Sequence, residues 1–137
     1  MNEHEQKVLD DLGVTITCTR IATRPDHLMD DRGHMTRHFR CELTRNGEEM
    51  TVYFSQGSGH SAPPTAFDVL LCLADDWIGA EVDYYDWCEE LGFTPSRQVQ
   101  RMYDAVQAQA VDLSRLFVGI SVGDLYDELR AAEEAGV

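Results

Sequence analysis

Residues 39–54 read FRCELTRNGEEMTVYF, and the fold turns on this stretch. Phe39, Cys41 and Leu43 alternate with polar neighbours, Met50, Val52 and Phe54 do the same, and Asn46-Gly47 stands between the two runs. Alternation with period 2 puts one side of an extended chain in a core and the other in water. Asn-Gly suits the two positive φ angles of a type I′ turn, whose twist matches that of paired strands. The spacing therefore predicts an antiparallel hairpin. Upstream, Val14, Ile16, Cys18 and Ile21 belong to another β-branched segment of alternating polarity, joined to the hairpin by a longer connection, Pro25 to Met35. Together they predict a three-stranded antiparallel meander over residues 14–56. Ahead of it, His4 to Leu12 has a helical pattern closed by Gly13, a residue suited to the left-handed position after a helix end.

Beyond the hairpin, the turn-forming string from Gln56 to Pro64 gives way at Thr65 to a period of 3.6. Over Thr65 to Ile78, the residues Phe67, Leu70, Leu71, Ala74, Trp77 and Ile78 share a face, with Asp68, Asp75 and Asp76 toward solvent. A second helix is capped by Asp83, buries Tyr84, Trp87, Cys88 and Leu91, and ends at Gly92. A third follows a cap at Thr94 and a first-turn Pro95, with Val99, Met102, Tyr103, Val106, Ala110, Leu113 and Phe117 at core spacing and Gly119 as its stop. Ser121 and Asp124 open a last short helix carrying Leu125 and Leu129, with a fraying tail from Glu133 to Val137. Residues 1–137 thus form one α+β domain: an N-terminal helix over 1–13, the sheet over 14–56, and a helical layer over 64–132 covering one sheet face. The ring of Trp87 is expected between that layer and the sheet. No βαβ crossover and no glycine fingerprint at a strand-to-helix turn supports a nucleotide-binding fold.

Charge is distributed unevenly. From Arg45 to Arg97 the chain runs 51 residues without Lys or Arg. Residues 68–137 carry fifteen acids against four bases, so −11 of the net −14 lies there. Clustered cations for phosphate contacts are missing, as is a basic amphipathic face for anionic lipid, which argues against direct nucleic-acid and membrane binding. Ten of the eleven bases are Arg, and Lys7 is the one lysine. Such a composition also suits a solvated, salt-adapted surface with no dedicated partner. The polar start, Met1 to Lys7, does not read as a signal peptide, and the longest apolar run, Val69 to Ala74, is too short to span a bilayer. The expected setting is cytoplasmic. Cys18, Cys41, Cys72 and Cys88 have no CxxC spacing and fall on apolar-looking positions, which predicts reduced core thiols.

Two stretches could carry chemistry. The connection holding Asp26, His27, Asp30, Asp31, His34 and His38 offers imidazoles and carboxylates to a borderline cation, the basis of an alternative reading as a small metal-dependent hydrolase or regulator. His34 and His38 share a face only on a helix, and Gly33 and Thr36 point to a loop entering a strand, so no metal site is assigned. Gly57-Ser58-Gly59-His60 sets a hydroxyl beside an imidazole without the strand-turn-helix spacing or acid of a hydrolase triad. Asp75-Asp76 and Glu89-Glu90 are sequence neighbours that splay around a helix and do not form a facing catalytic pair. No catalytic residue and no cofactor are expected.

The segments Met50-Thr51-Val52-Tyr53-Phe54-Ser55, Gly57-Ser58-Gly59-His60, Pro64-Thr65-Ala66, Asp68-Val69-Leu70 and Tyr85-Asp86-Trp87-Cys88-Glu89 resemble a family of small uncharacterised proteins of tailed phages and prophages. The resemblance covers residues 14 to about 118 in sparse motifs. It brings no catalytic residues, and it implies an inhibitor of host defence, of anti-CRISPR or anti-restriction type, some of which resemble DNA in charge. Acids three, four or seven residues apart on a helix are separated by roughly 5 to 11 Å along it, comparable with phosphate separations on a duplex. Asp68, Asp75, Asp76, Glu81, Asp83, Asp86, Glu89 and Glu90 are the residues expected to meet a partner, a basic host protein or nucleoprotein complex. The other possibility is a soluble salt-adapted domain of structural role.

Overall fold

Asn46 and Gly47 take φ of 52° and 81°, the left-handed pair that a type I′ turn requires. Around them β2 (Met35–Arg45) and β3 (Glu48–Gly57) pair antiparallel, with Leu43 opposite Met50, Cys41 opposite Val52 and Phe39 opposite Phe54. On the other side of β2 lies β1 (Thr15–Ile21), also antiparallel, with Cys18 opposite Cys41 and Ile16 opposite Leu43. The order β1-β2-β3 is the predicted meander, and the register places Ile16, Cys18, Phe39, Cys41, Leu43, Met50, Val52 and Phe54 on one face, whereas Ile21, opposite His38, falls on the other. The computed structural model describes residues 1–22, 35–57 and 62–136.

Five helices complete the α+β architecture: α1 (Glu3–Leu12) before the sheet, then α2 (Ala66–Gly79), α3 (Tyr84–Leu91), α4 (Arg97–Leu116) and α5 (Val122–Ala135) after it. Their ends follow local chemistry. Asn2 and Glu5, and likewise Thr65 and Asp68, form reciprocal capping boxes, while Gly13 and Gly92 close α1 and α3 in the left-handed conformation. For α4 the cap is Ser96, whose Oγ accepts the Val99 N–H, and not Thr94; Thr94 and Pro95 precede the helix. The last helix is longer than expected, since α5 continues through the acidic tail to Ala135 and ends at Gly136. Its inner stripe, Leu125, Leu129 and Ala132, is buried along most of that length, which holds the terminal turn in place.

The main core is assembled from Leu9 and Leu12 of α1, the inward residues of the sheet, Phe67, Val69, Leu70, Leu73 and Ala74 of α2, the C-terminal end of α4 and the inner stripe of α5. Helix α2 is its hub, packed against α5, α4, β1 and α1. Being enclosed on several sides, it buries Val69 and Leu73 outside the predicted face, while Leu71, Trp77 and Ile78 remain half-buried. Arg45 ties two helix ends to the hairpin: its Nε donates to the Leu12 carbonyl at 2.7 Å and its Nη1 to the Leu116 carbonyl at 2.9 Å, with the guanidinium 5.3 Å from the Phe117 ring centre.

Trp87 is 5 % exposed, but its neighbours are not those expected. It lies with Cys88 and Val99 in a separate cluster, flanked by Val82, Tyr84, Phe93, Met102, Tyr103 and Val106, so its ring fills the seam between α3 and α4 and does not face the sheet. Leu91, predicted as part of the buried stripe of α3, is 55 % exposed because α3 leans on α4 alone among its substantial neighbours. Two thiols, Cys41 and Cys88, are core residues as expected, and Cys18 is half-buried against the core. Cys72 is a correction: it lies on the outer side of α2 and is exposed.

Candidate functional site

All eight predicted partner-contacting acids, Asp68, Asp75, Asp76, Glu81, Asp83, Asp86, Glu89 and Glu90, are solvent-exposed. They fall into two strips with a turn between. On α2, Asp68, Asp75 and Asp76 surround Cys72 at helical spacing, and Glu133 of α5 lies close enough to act on the same thiol. On α3, Asp86, Glu89 and Glu90 project from the side opposite the Trp87 seam, and Glu81 and Asp83 occupy the turn. The described ion pairs involve other residues: Lys7 with Asp11, Arg40 with Glu42, Arg115 with Asp112 and Arg130 with Glu133. Among the described residues, none of the eight acids is matched to a cation.

Two of the eight have a structural task. The Asp68 carboxylate accepts the Thr65 N–H at 3.1 Å, completing the capping box of α2, and Asp83 Oδ1 accepts the Asp86 N–H at 2.9 Å at the start of α3. Among the described residues, no such hydrogen bond involves the other six. The mutual influence of the crowded acids is visible at two groups. Although Asp76 reaches solvent, the low-dielectric protein beneath its carboxyl and, to a lesser degree, the Asp75 charge together raise its pKa to about 6. Partial burial lifts the Cys72 thiol to about 11, with Asp76, Asp68, Asp75 and Glu133 contributing in that order. Cys72 therefore remains a protonated, weakly nucleophilic thiol near neutral pH.

The strips are held by α4. Tyr103 Oη donates to the Val82 carbonyl at 2.8 Å, and Gln107 Nε2 donates to the Ala80 carbonyl at 2.6 Å, so the α2–α3 turn is pinned to α4 from below. Tyr84 Oη pairs with the Ser96 backbone, donating to its carbonyl and accepting its N–H, each at 3.3 Å. Packing between α2 and α3 runs through α4 more than through each other. The same helix carries exposed Arg97 and Arg101, so a stretch that lacks cations in sequence has two on the helix that supports it. Sequence periodicity gave no indication of this, because the pairing of α3 with α4 depends on tertiary packing. Nor did it single out Tyr85, 72 % exposed on α3 beside Asp86, an aromatic of the kind that anchors protein interfaces.

The histidine-rich candidate falls outside the described residues for Asp26, His27, Asp30, Asp31 and His34. His38 belongs to β2 and not to the connecting loop; it is half-buried, with Nδ1 2.8 Å from Ser55 Oγ across the β2–β3 ladder. Gly57 ends β3, whereas Ser58, Gly59 and His60 lie outside the described residues. Among the described residues, no group of three or more His, Cys, Asp or Glu side chains is disposed to hold a metal ion. No described helix is long and apolar enough to cross a membrane. Neither a family model, nor a curated protein, nor a solved structure matches the chain.

Proposed function

We propose that the chain is a non-enzymatic acidic binding protein that occupies a basic, nucleic-acid-binding surface on a host protein, as a phage-encoded inhibitor of anti-CRISPR or anti-restriction type does. The observation that carries the binding reading is the set of exposed acids on α2, α3 and their turn, unmatched by cations among the described residues and set on helices that α4 holds in place. Carboxylates fixed in this way stand in for phosphates without requiring the partner to distort, and their field steers a basic groove toward them. No bond is made or broken in this role. The phage assignment stands on the motif resemblance, and the partner is a basic protein or nucleoprotein complex of the host cytoplasm.

The test is capture from a bacterial lysate with two baits, the parent chain and a variant carrying Asp75→Asn, Asp76→Asn, Asp86→Asn, Glu89→Gln and Glu90→Gln. Asp68 and Asp83 are left intact because they cap helices. The parent should retain a basic protein that added duplex DNA and rising salt both release, and the variant should bind it roughly 10- to 10³-fold more weakly at low salt. Amide changes at Glu3, Glu5 and Asp10, far from the strips in sequence, serve as the control. Equal binding by the five-fold variant would leave the acidic surface as a solubilising feature and end the mimicry reading.

A further inference from the structure

Directly opposed residues of an antiparallel pair have their side chains on the same face and their Cα atoms about 4.5 to 5.5 Å apart, inside the span that a disulfide bridges. Cys18 and Cys41 are such a pair in the β1–β2 register. Their sulfurs are 2.8 Å apart, closer than two unbonded sulfurs need to be to share a single S–H. The remaining thiols have no comparable neighbour: Cys72 is on the outer side of α2, and Cys88 is in the α3–α4 seam. From this geometry we infer that Cys18 and Cys41 are a redox-responsive dithiol, which a low-molecular-weight disulfide such as oxidised glutathione converts into a cross-strand disulfide joining the edge strand β1 to β2.

The two sulfurs have different parts in the reaction. Cys41 is fully buried, and burial, reinforced by its hydrogen bond to Cys18 and by the Cys18 charge, holds its thiol strongly toward the protonated form. Either sulfur can donate the S–H that the pair shares. Half-buried Cys18 is the sulfur that a reagent can reach. As a thiolate, Cys18 attacks one sulfur of glutathione disulfide, the reagent S–S bond breaks and one glutathione thiolate leaves. Once Cys18 is in the mixed disulfide its charge is gone, and with it part of what kept Cys41 protonated. Cys41 then loses its proton to water, attacks Cys18 Sγ and displaces the second glutathione thiolate. The two cysteine sulfurs together give up two electrons, the reagent is reduced to two thiols, and the two cysteine protons end on those thiols.

The experiment equilibrates the full chain in buffers of varied glutathione to glutathione disulfide ratio, quenches with acid, and alkylates under denaturing conditions before tryptic digestion. The expected oxidised product is a linked pair of peptides, residues 8–20 with residues 41–45, two hydrogens lighter than the sum of the free peptides, while Cys72 and Cys88 are recovered alkylated. Because the bridged residues are 23 positions apart, closing that loop should raise the melting temperature by about 10 °C, reversibly on adding dithiothreitol. Cys18→Ala, at a half-buried position, should abolish both the linked peptide and the oxidation-dependent shift, and Cys72→Ser should retain both. Glutathione found on Cys18 with Cys41 still free, or both residues alkylated across the whole series, would overturn the inference. A linked peptide joining any other pair would overturn it as well.

Discussion

Trp87→Ala tests how the two apolar clusters are coupled. The side chain is 5 % exposed, and a tryptophan buries up to about 250 Å². At about 25 cal/mol per Å² that is roughly 6 kcal/mol, reduced by the partial burial already present in a compact unfolded chain and by the β-carbon that alanine keeps. Loss of the ring contacts to Phe93 and Tyr103, at centroid distances of 5.5 and 5.4 Å, offsets part of that reduction. The expected cost is about 3 to 5 kcal/mol. Where it registers depends on the architecture: the ring belongs to a cluster with no sheet residue, and α3 has α4 as its one substantial neighbour. Native-state hydrogen exchange should therefore show amides of α3 accelerated by roughly 10²- to 10⁴-fold, with those of β2, such as Cys41 and Leu43, changed by less than about threefold. Trp77 packs at the edge of the main core and Trp87 in the seam, so Trp77→Phe and Trp87→Phe backgrounds provide one fluorescent reporter for each cluster. Equal acceleration in α3 and β2 would show that the clusters open as one unit and refute the reasoning. A loss below about 1 kcal/mol in urea would show that the ring contributes little to either.

Arg45→Met should lower stability by about 2 to 4 kcal/mol in thermal or urea melts, because two charged hydrogen bonds to helix-end carbonyls and the contact with Phe117 are lost together. Arg45→Lys should recover less than half, since one ammonium cannot span both the Leu12 and Leu116 carbonyls. Asp76→Asn concerns pH. A folded-state pKa of about 6 against 3.8 means that the native chain holds more protons than the unfolded chain between those values, so the wild-type contribution falls as pH rises from about 4 to 6. The amide should stabilise the protein at pH 7.5, by on the order of 1 kcal/mol once solvent screening of this exposed group is allowed for, and leave it unchanged at pH 3.5. Melting temperatures at the two pH values check both the size and the sign.

The sheet was legible because each of its signals was local. Asn46-Gly47 demands a turn of one hand, and alternation around it leaves one register that turns Phe39, Cys41, Leu43, Met50, Val52 and Phe54 to the same face. Helix positions were legible for the same reason, down to Asp83 and Ser121 at the starts of α3 and α5, although the cap role of Thr65 was not read. The start of α4 was misread where Thr94, Pro95 and Ser96 offered overlapping signals; the outcome depends on which hydroxyl reaches the N–H three residues on. Which elements each helix packs against was not legible. A 3.6-residue period indicates that Trp87 is buried but not what buries it, and it cannot tell that α2 is enclosed while the side bearing Cys72 is open. The acids of the candidate surface were readable as exposed, whereas their arrangement around Cys72 and the presence of Arg97 and Arg101 on the supporting helix depend on packing.

The division among the eight acids sets how freely the surface can drift over generations. Asp68 and Asp83 hold backbone N–H groups at the starts of their helices, so exchange for a hydrophobic or basic residue costs about 1 kcal/mol of helix stability at either position. Asp75, Asp76, Glu81, Asp86, Glu89 and Glu90 have no such hydrogen bond among the described residues, and relief of like-charge crowding makes many replacements there neutral or mildly favourable. A lineage can therefore reshuffle these six positions without approaching its unfolding threshold, and related chains should differ most there while keeping an acid or another capping residue at 68 and 83.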